Sequence, residues 1–421
     1  MIKRITYIIV RLLAISSIVL LLSFLGAFLS LTTKIIIVSF IVFVLFLITY
    51  LLKSKKLQKT IRKTQNILSS VIVIVFVLIY FFIVVSSNET TEQFIDENCN
   101  IIPNSIATIE KIELGNLDQY IIIRGRNINN PVLLYLHGGP GGGAEFTLVK
   151  DFYPELEEHF VVIYWEQRGS GKSYSSNISK ETMNIEQFVS DANELSEYLI
   201  QKFKKQKIYI MGGSWGAILG LLSVKERPDL FHAFIGFGLP VNIVENIPIN
   251  RDSLISLATK TNNQKAIKEL SAIKTPRDFE SSMYYQGILD KYDKRVYKGY
   301  VSNNFVSLIL KRVMLSNEYT FLEKYHFVNF HGVQFVRNSL WDELLKCDLR
   351  KEANEINIPV YLFHGYYDFG CPLILVNEYF KLLKAPEKKL YIFENSGHDL
   401  IFDNPDRFDK ILMDSIISAP N

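Results

Sequence analysis

Three stretches near the N-terminus carry no charged residue: Leu12–Thr33, Ile35–Leu52 and Thr64–Asn88. Each is apolar all round, dense in Ile, Leu, Val and Phe, with no polar stripe at helical spacing. Such runs offer no polar face to water, so they cannot form the outside of a soluble domain or an amphipathic surface helix. Their apolar cores approach the roughly 20 residues that cross about 30 Å of hydrocarbon. A cleaved signal peptide would need only about 7–15 apolar residues and would not be followed by two further runs. The expectation is a membrane anchor of three transmembrane helices over residues 1–86. Lys53, Lys55, Lys56, Lys59, Arg62 and Lys63 crowd the loop between the second and third runs, and Lys3, Arg4 and Arg11 flank the first. Only Lys34 separates the first two. Positive loops stay in the cytoplasm, so everything after the third run is expected outside it, in a multi-pass cell-membrane protein whose partner is the lipid bilayer.

Charge divides the 421-residue chain the same way. Ten of its 46 Lys and Arg, and none of its 43 Asp and Glu, lie in the first 88 residues. The remainder is mildly acidic, which argues against nucleic acid as a partner. A 48% hydrophobic, 13% aromatic composition excludes a disordered chain. Cys99, Cys347 and Cys371 are too few for a disulfide scaffold and have no zinc-ligand spacing. No metal or organic cofactor is implied. A polar linker is expected over residues 87–100.

Beyond it, strands and helices alternate. Strands are expected at Gln119–Arg124 and Pro131–His137, paired as a hairpin, and at His159–Trp165, Lys207–Met211, Phe234–Phe237, Pro359–Phe363 and Lys389–Phe393. Helices are expected at Ile185–Phe203, with Phe188, Ala192, Leu195, Leu199 and Ile200 on one face, at Trp215–Val224 and at Leu373–Leu383. This order implies a mostly parallel α/β sheet with helices on both faces. It is expected in two parts, residues 101–240 and 357–421, split by a helical cap at 241–356.

Gly212-Gly-Ser-Trp-Gly216 fits G-x-S-x-G, with an apolar strand before it and an apolar helix after it. That context places Ser214 on a sharp turn as a candidate nucleophile, which needs a base that an acid orients. Asp368 and His398 follow two successive expected strands, in the chain order Ser, acid, His. Asp399 and Asp403 follow the histidine and break that order. His137 lies in a glycine loop, His159 and His232 flank strands, and His326 and His331 fall in the cap without a metal motif. His137-Gly-Gly-Pro-Gly-Gly-Gly143 follows a strand, and its glycines let backbone N–H groups approach a reacting oxygen. Gly139 is the candidate oxyanion donor there, paired with the N–H of Trp215. A phosphate loop does not fit, because no Gly-Lys-Ser/Thr end follows.

Together His137-Gly-Gly-Pro-Gly141, Glu166-Gln-Arg-Gly-Ser-Gly-Lys-Ser173, Gly212-Gly-Ser-Trp-Gly216, Asp368 before Cys371-Pro372, and Gly397-His398 resemble the prolyl iminopeptidase (prolyl aminopeptidase) branch of the α/β-hydrolase superfamily. The resemblance spans roughly Asn100–Ser415. Glu166 stands where that family's motif usually has Asp. The resemblance implies an α/β-hydrolase fold and a serine hydrolase, with Ser214 as nucleophile, Asp368 as orienting acid and His398 as base. It implies an aminopeptidase that clips an N-terminal residue, often proline, holding the free amine on acidic cap residues. Glu323, in Leu322-Glu-Lys-Tyr-His-Phe-Val328, resembles one such position, and Glu245 is a second candidate. The alternatives are an esterase or lipase on hydrophobic acyl esters, which the same residues serve, and a non-catalytic binding module on a hydrolase scaffold.

Overall fold

The computed structural model describes residues 89–274, 279–293 and 300–414. The three apolar runs read as membrane spans lie outside the described residues. Among the described residues, no helix is long and apolar enough to cross a membrane.

The described chain builds one eight-stranded sheet: β1 (Ile106–Leu114), β2 (Leu117–Gly125), β3 (Val132–Leu136), β4 (Val161–Glu166), β5 (Ile208–Gly213), β6 (Phe231–Phe237), β7 (Val360–Gly365) and β8 (Lys388–Phe393). Their order across the sheet is β1-β2-β4-β3-β5-β6-β7-β8. The β1–β2 and β2–β4 pairs are antiparallel, and the rest of the sheet is parallel.

The reason for this layout is readable in the residues. Every residue of β3, β4 and β5 is buried. Their continuous apolar runs can be satisfied only where both faces are covered, as parallel strands require. Alternate side chains then serve opposite layers. Leu134, Leu136, Ile163, Trp165 and Ile210 join one core with the helices Ile185–Phe203, Trp215–Glu226 and Leu373–Leu382. Leu133, Tyr135, Val162, Tyr164 and Met211 join another with Phe146–Phe152 and Pro405–Leu412. Each such aliphatic or aromatic side chain contributes about 1.5–3 kcal/mol by leaving water. The helix Ile185–Phe203 starts on Asn184, whose side chain accepts the Gln187 N–H at 2.8 Å. It buries Phe188, Ala192, Leu195 and Leu199, as its spacing predicts, and ends on Lys204 in the left-handed conformation.

One expectation is corrected. The stretches 119–124 and 131–137 do not pair as a hairpin. β2 pairs instead with β1 and β4, while β3 lies between β4 and β5. Gly115 and Asn116, both with positive φ (51° and 58°), close β1 onto β2 through a two-residue turn that matches strand twist. A fully buried β3 needs a neighbour on each edge, which a hairpin partner at the sheet margin could not supply.

Between β6 and β7 the described chain is helical: Ile243–Lys260, Gln264–Ser271, Phe279–Asp293, Tyr300–Leu315, Phe321–Val328 and His331–Leu344. The first three share a small core of their own around Ile247, Leu254, Leu270 and Leu289.

The first described residues, expected as part of a linker, pack onto this unit. Thr91 is buried, donates its hydroxyl to Glu318 (3.1 Å) and accepts from Arg124 (2.8 Å). The fully buried Lys172 ammonium pairs with Glu89, with Glu323 at 3.0 Å and with the Glu318 carbonyl at 2.8 Å. A buried cation needs such partners, since desolvating it alone costs several kcal/mol. The start of the unit, the β4 loop and the cap are thereby laced together.

Candidate active site

β5 ends in Gly212-Gly213, and the next residue, Ser214, stands at φ 54°, ψ −121° before the helix Trp215–Glu226. A non-glycine residue held there is strained, and strain of this kind clusters at active-site turns. Ser214 N–H donates to the Phe237 carbonyl at 3.0 Å, pinning the turn to the end of β6. The last glycine of the motif is forced by contact: a Cβ on Gly216 would lie 2.2 Å from the Leu136 carbonyl oxygen.

His398 and Asp368 meet as the chain order suggests they could. His398 Nδ1 is 2.8 Å from Asp368 Oδ2, and Asp368 Oδ1 accepts the Cys371 N–H at 2.8 Å. The Asp368 side chain is fully buried, whereas His398 is 33% exposed. Burial opposes charge on both, but their attraction prevails. The imidazole is held well above its ordinary value and the carboxyl below its own. The imidazole of His364 packs behind, with Nε2 at 2.8 Å from the Cys371 carbonyl.

Two adjoining cavities, of about 660 and 610 Å³, open onto these groups. Ser214, His398, Gly139, Asp399, Phe305 and Arg337 line both. Trp215 lines the first. The structure therefore brings Ser214, His398, Gly139 and Trp215 to one place, with Asp368 behind the histidine.

The glycine loop is held by buried side chains. Gly139 has φ 127°, and a Cβ on it would sit 2.6 Å from the Gly142 nitrogen, so only glycine fits. Gln167 donates to the His137 carbonyl (3.0 Å) and accepts from the Trp215 indole (2.9 Å), tying the loop to the turn after Ser214. Glu166 accepts the N–H groups of Ala144 (2.7 Å) and Lys172 (3.0 Å) and the Tyr319 hydroxyl (3.0 Å). It acts as a brace, with burial pushing its carboxyl upward. Glu145 accepts the Gly138 N–H at 2.8 Å and lines the second cavity, and burial pushes it up to about 7. Asp399 is pushed up to about 6, again chiefly by burial. The sequence assigns no role to Glu145, which lies outside the motifs, and places Gln167 within the Glu166–Ser173 motif without one. It offers Asp399 only as a rival acid.

Glu323 and Glu245 are not brought to this place. Glu323 N–H and carboxylate form a capping box with Thr320 at the start of the helix Phe321–Val328, and its carboxylate pairs with Lys172. Glu245 sits in the first turn of Ile243–Lys260 and pairs with Arg350. Neither lines the described cavities. Each carboxylate is engaged by a cation of the protein itself.

The family described as serine aminopeptidase, S33, matches residues 132–405. The Bacillus subtilis (strain 168) protein "Probable aminopeptidase YbaC" is 32% identical over 320 residues, which cover 73% of this chain and 96% of that one. The proline iminopeptidase of Neisseria gonorrhoeae is 23% identical over 330 residues, covering 73% and 93%. The solved proline iminopeptidase of Mycobacterium smegmatis shares the fold, with a TM-score of 0.51 at 13% identity over 72% of this chain and 96% of that one. The family match over residues 132–405, together with the 32% identical relative, shows that the chain belongs to the serine aminopeptidase family S33 of serine hydrolases.

Proposed function

We propose that this protein is a membrane-anchored, prolyl aminopeptidase-like enzyme that cleaves the amide bond after a free N-terminal residue. The observation that carries this reading is the convergence of Ser214 and His398 on one cavity, with Asp368 bonded to the far side of the imidazole. In this reading Ser214 Oγ attacks the scissile carbonyl while His398 Nε2 takes its proton. Asp368 holds the Nδ1–H tautomer and stabilises the imidazolium. The Gly139 and Trp215 N–H groups receive the oxyanion. His398 passes its proton to the leaving amine, and water then releases the acyl group by the same steps in reverse.

Two acidic groups in the cavity walls support an amine-bearing substrate in this reading. Asp399 lines both cavities and Glu145 lines the second, while Arg337, the cation that also lines both, directs its guanidinium to the Gly139 carbonyl. Both carboxyls gain charge as pH rises through about 6 to 7. A substrate ammonium would be drawn there more strongly above neutral pH than below it. Proline and alanine chromogenic amides, run beside short and long acyl esters, test the reading. Amides with a free amine should be the better substrates, and Asp399→Asn should lower kcat/KM on them at least tenfold more than on esters, since truncating one partner of a buried charge contact typically costs about 2–5 kcal/mol. Turnover of esters alone would move the protein to the esterase reading.

The proposed topology places the catalytic unit outside the cytoplasm. Its support is the Lys-rich loop 53–63, whose six cations would cost about 2.5–3.5 kcal/mol each at mid-membrane on insertion scales. A tag at Asn421 should react with an impermeant label in intact cells, and one in the 53–63 loop should not. The opposite pattern would refute it.

A further inference from the structure

One group beside the candidate catalytic residues has no part in the proposed hydrolysis. Cys371 is buried and lines the larger cavity. Its Sγ, one carboxylate oxygen of Asp368 and a ring nitrogen of His398 all lie within 4.8 Å of one another. Hydrolysis needs the carboxylate and the imidazole, but no thiol. A sulfur, a nitrogen and an oxygen clustered in this way are the ligand types of a soft or borderline divalent ion.

An ion would have to gather the three atoms around itself from their present cluster, in which all lie within 4.8 Å of one another. Zinc takes sulfur at about 2.3 Å and nitrogen or oxygen at about 2.0–2.2 Å, so ligands on a tetrahedral ion stand about 3.4 Å apart. The Nδ1–Oδ2 separation is 2.8 Å. A side-chain adjustment of roughly half an ångström, small beside a rotamer change, opens the pair to an ion at that scale. Gly370, which has no side chain, and Cys371 put the point within reach of the cavity.

We propose that Asp368, Cys371 and His398 form an inhibitory site for a thiophilic divalent ion, zinc(II) or cadmium(II), that switches the hydrolase off reversibly. The proposal rests, for its effect on activity, on the reading of His398 as the base. An ion on Nδ1 takes the lone pair that appears when the ring's single proton leaves that nitrogen. The proton moves through solvent to Nε2, the nitrogen that must accept the Ser214 proton, so the base is lost. The Cys371 thiol gives its proton to solvent as the S–metal bond forms, and Asp368 exchanges its hydrogen bond for the metal. Starting from neutral imidazole, one proton is released per ion bound.

The test uses the full chain in detergent micelles, with zinc chloride from micromolar to millimolar and a metal-free control. Wild-type amide or ester turnover should fall at least tenfold and return on adding EDTA. The zinc concentration for half inhibition, taken relative to each variant's own metal-free rate, should rise at least tenfold in Cys371→Ala. Cys371→Ser is the second variant if the alanine form fails to fold by circular dichroism. Binding is also read without activity. Cadmium chloride should give a thiolate-to-metal ultraviolet band in wild type and in Ser214→Ala, and none in Cys371→Ala or Cys371→Ser. No cadmium band in folded wild type overturns the site. A band with unchanged turnover overturns inhibition through His398. Equal half inhibition in wild type and the Cys371 variants places the ion elsewhere and overturns the proposal. An enzyme with no measurable turnover but a Cys371-dependent band would leave the site standing and remove the hydrolase reading instead.

Discussion

Ser214→Ala should lower turnover by on the order of 10⁴ to 10⁶ while leaving the folded unit as stable as wild type. The two halves of that expectation have separate causes. The loss follows from removing the covalent centre, since no other hydroxyl among the residues lining both cavities stands at the end of β5. The unchanged stability follows from what the hydroxyl does not do. Ser214 precedes the helix Trp215–Glu226, yet its side chain makes no capping hydrogen bond there. Alanine carries the same Cβ, so the strained backbone at φ 54° is no worse and no better than with serine. The turn is held by the backbone N–H to Phe237 and by the glycine packing, both of which alanine keeps. Thermal melting should therefore shift by no more than a degree or two, as for a substitution of about ±0.5 kcal/mol. Labelling by a fluorophosphonate probe should disappear together with turnover. Residual activity within tenfold of wild type would remove Ser214 from the chemistry.

How much of this was legible beforehand depends on whether a feature is local in the chain. The turn around Ser214 was legible because its cause is local: a strand, glycines that admit close backbone approach, then a helix. β3, β4 and β5 were legible because continuous apolar runs of five or six residues between turn signals have one common use in an α/β sheet. β1 was not, since Ile106–Leu114 alternates with charged residues as an edge strand facing water on one side, and its partner is defined by the short turn at Gly115-Asn116. Without β1, the nearest apolar run available to β2 in the sequence is β3, which is why a hairpin is expected there. Once β1 takes one edge of β2, the remaining edge goes to β4 and none is left for β3.

The site residues divide in the same way. Asp368 and His398 could be placed at the ends of strands by chain order. Whether a carboxylate serves a substrate or the protein's own cations cannot be read from spacing. Glu323 is claimed by Lys172, which lies 151 positions away in sequence, and Glu245 by Arg350, 105 positions away. Those partners are supplied by tertiary packing. The same holds for Glu145, Glu166 and Gln167, whose roles come from which backbone N–H groups the fold turns toward them.

Asp368→Asn should cost on the order of 10⁴ in kcat, with Ser214 and His398 still in place. The carboxylate now has two tasks: Oδ1 accepts the Cys371 N–H and Oδ2 accepts from His398 Nδ1. An asparagine can keep only one of them. With its oxygen turned to Cys371, its NH₂ donates toward Nδ1, which must then be an acceptor. The ring proton is forced onto Nε2, and the base facing Ser214 is gone. With the amide flipped, the histidine tautomer is right but the NH₂ confronts the Cys371 N–H, two donors in a buried space, at a cost of about 1–3 kcal/mol. The first arrangement wins, so the protein should stay folded and lose its chemistry. The pH dependence separates this from a general loosening of the site. Asp368 is the main attraction that holds the His398 imidazolium well above its ordinary value against burial. Without that charge the imidazole loses its proton at lower pH, so the acid limb of the kcat profile should move down in pH while the plateau falls. A merely distorted site would lower the plateau and leave the limb where it was. Steady-state kinetics from acid to alkaline pH on wild type and Asp368→Asn decide between them. If Asp368→Asn stays within tenfold of wild type while Asp403→Asn abolishes turnover, the orienting acid is Asp403.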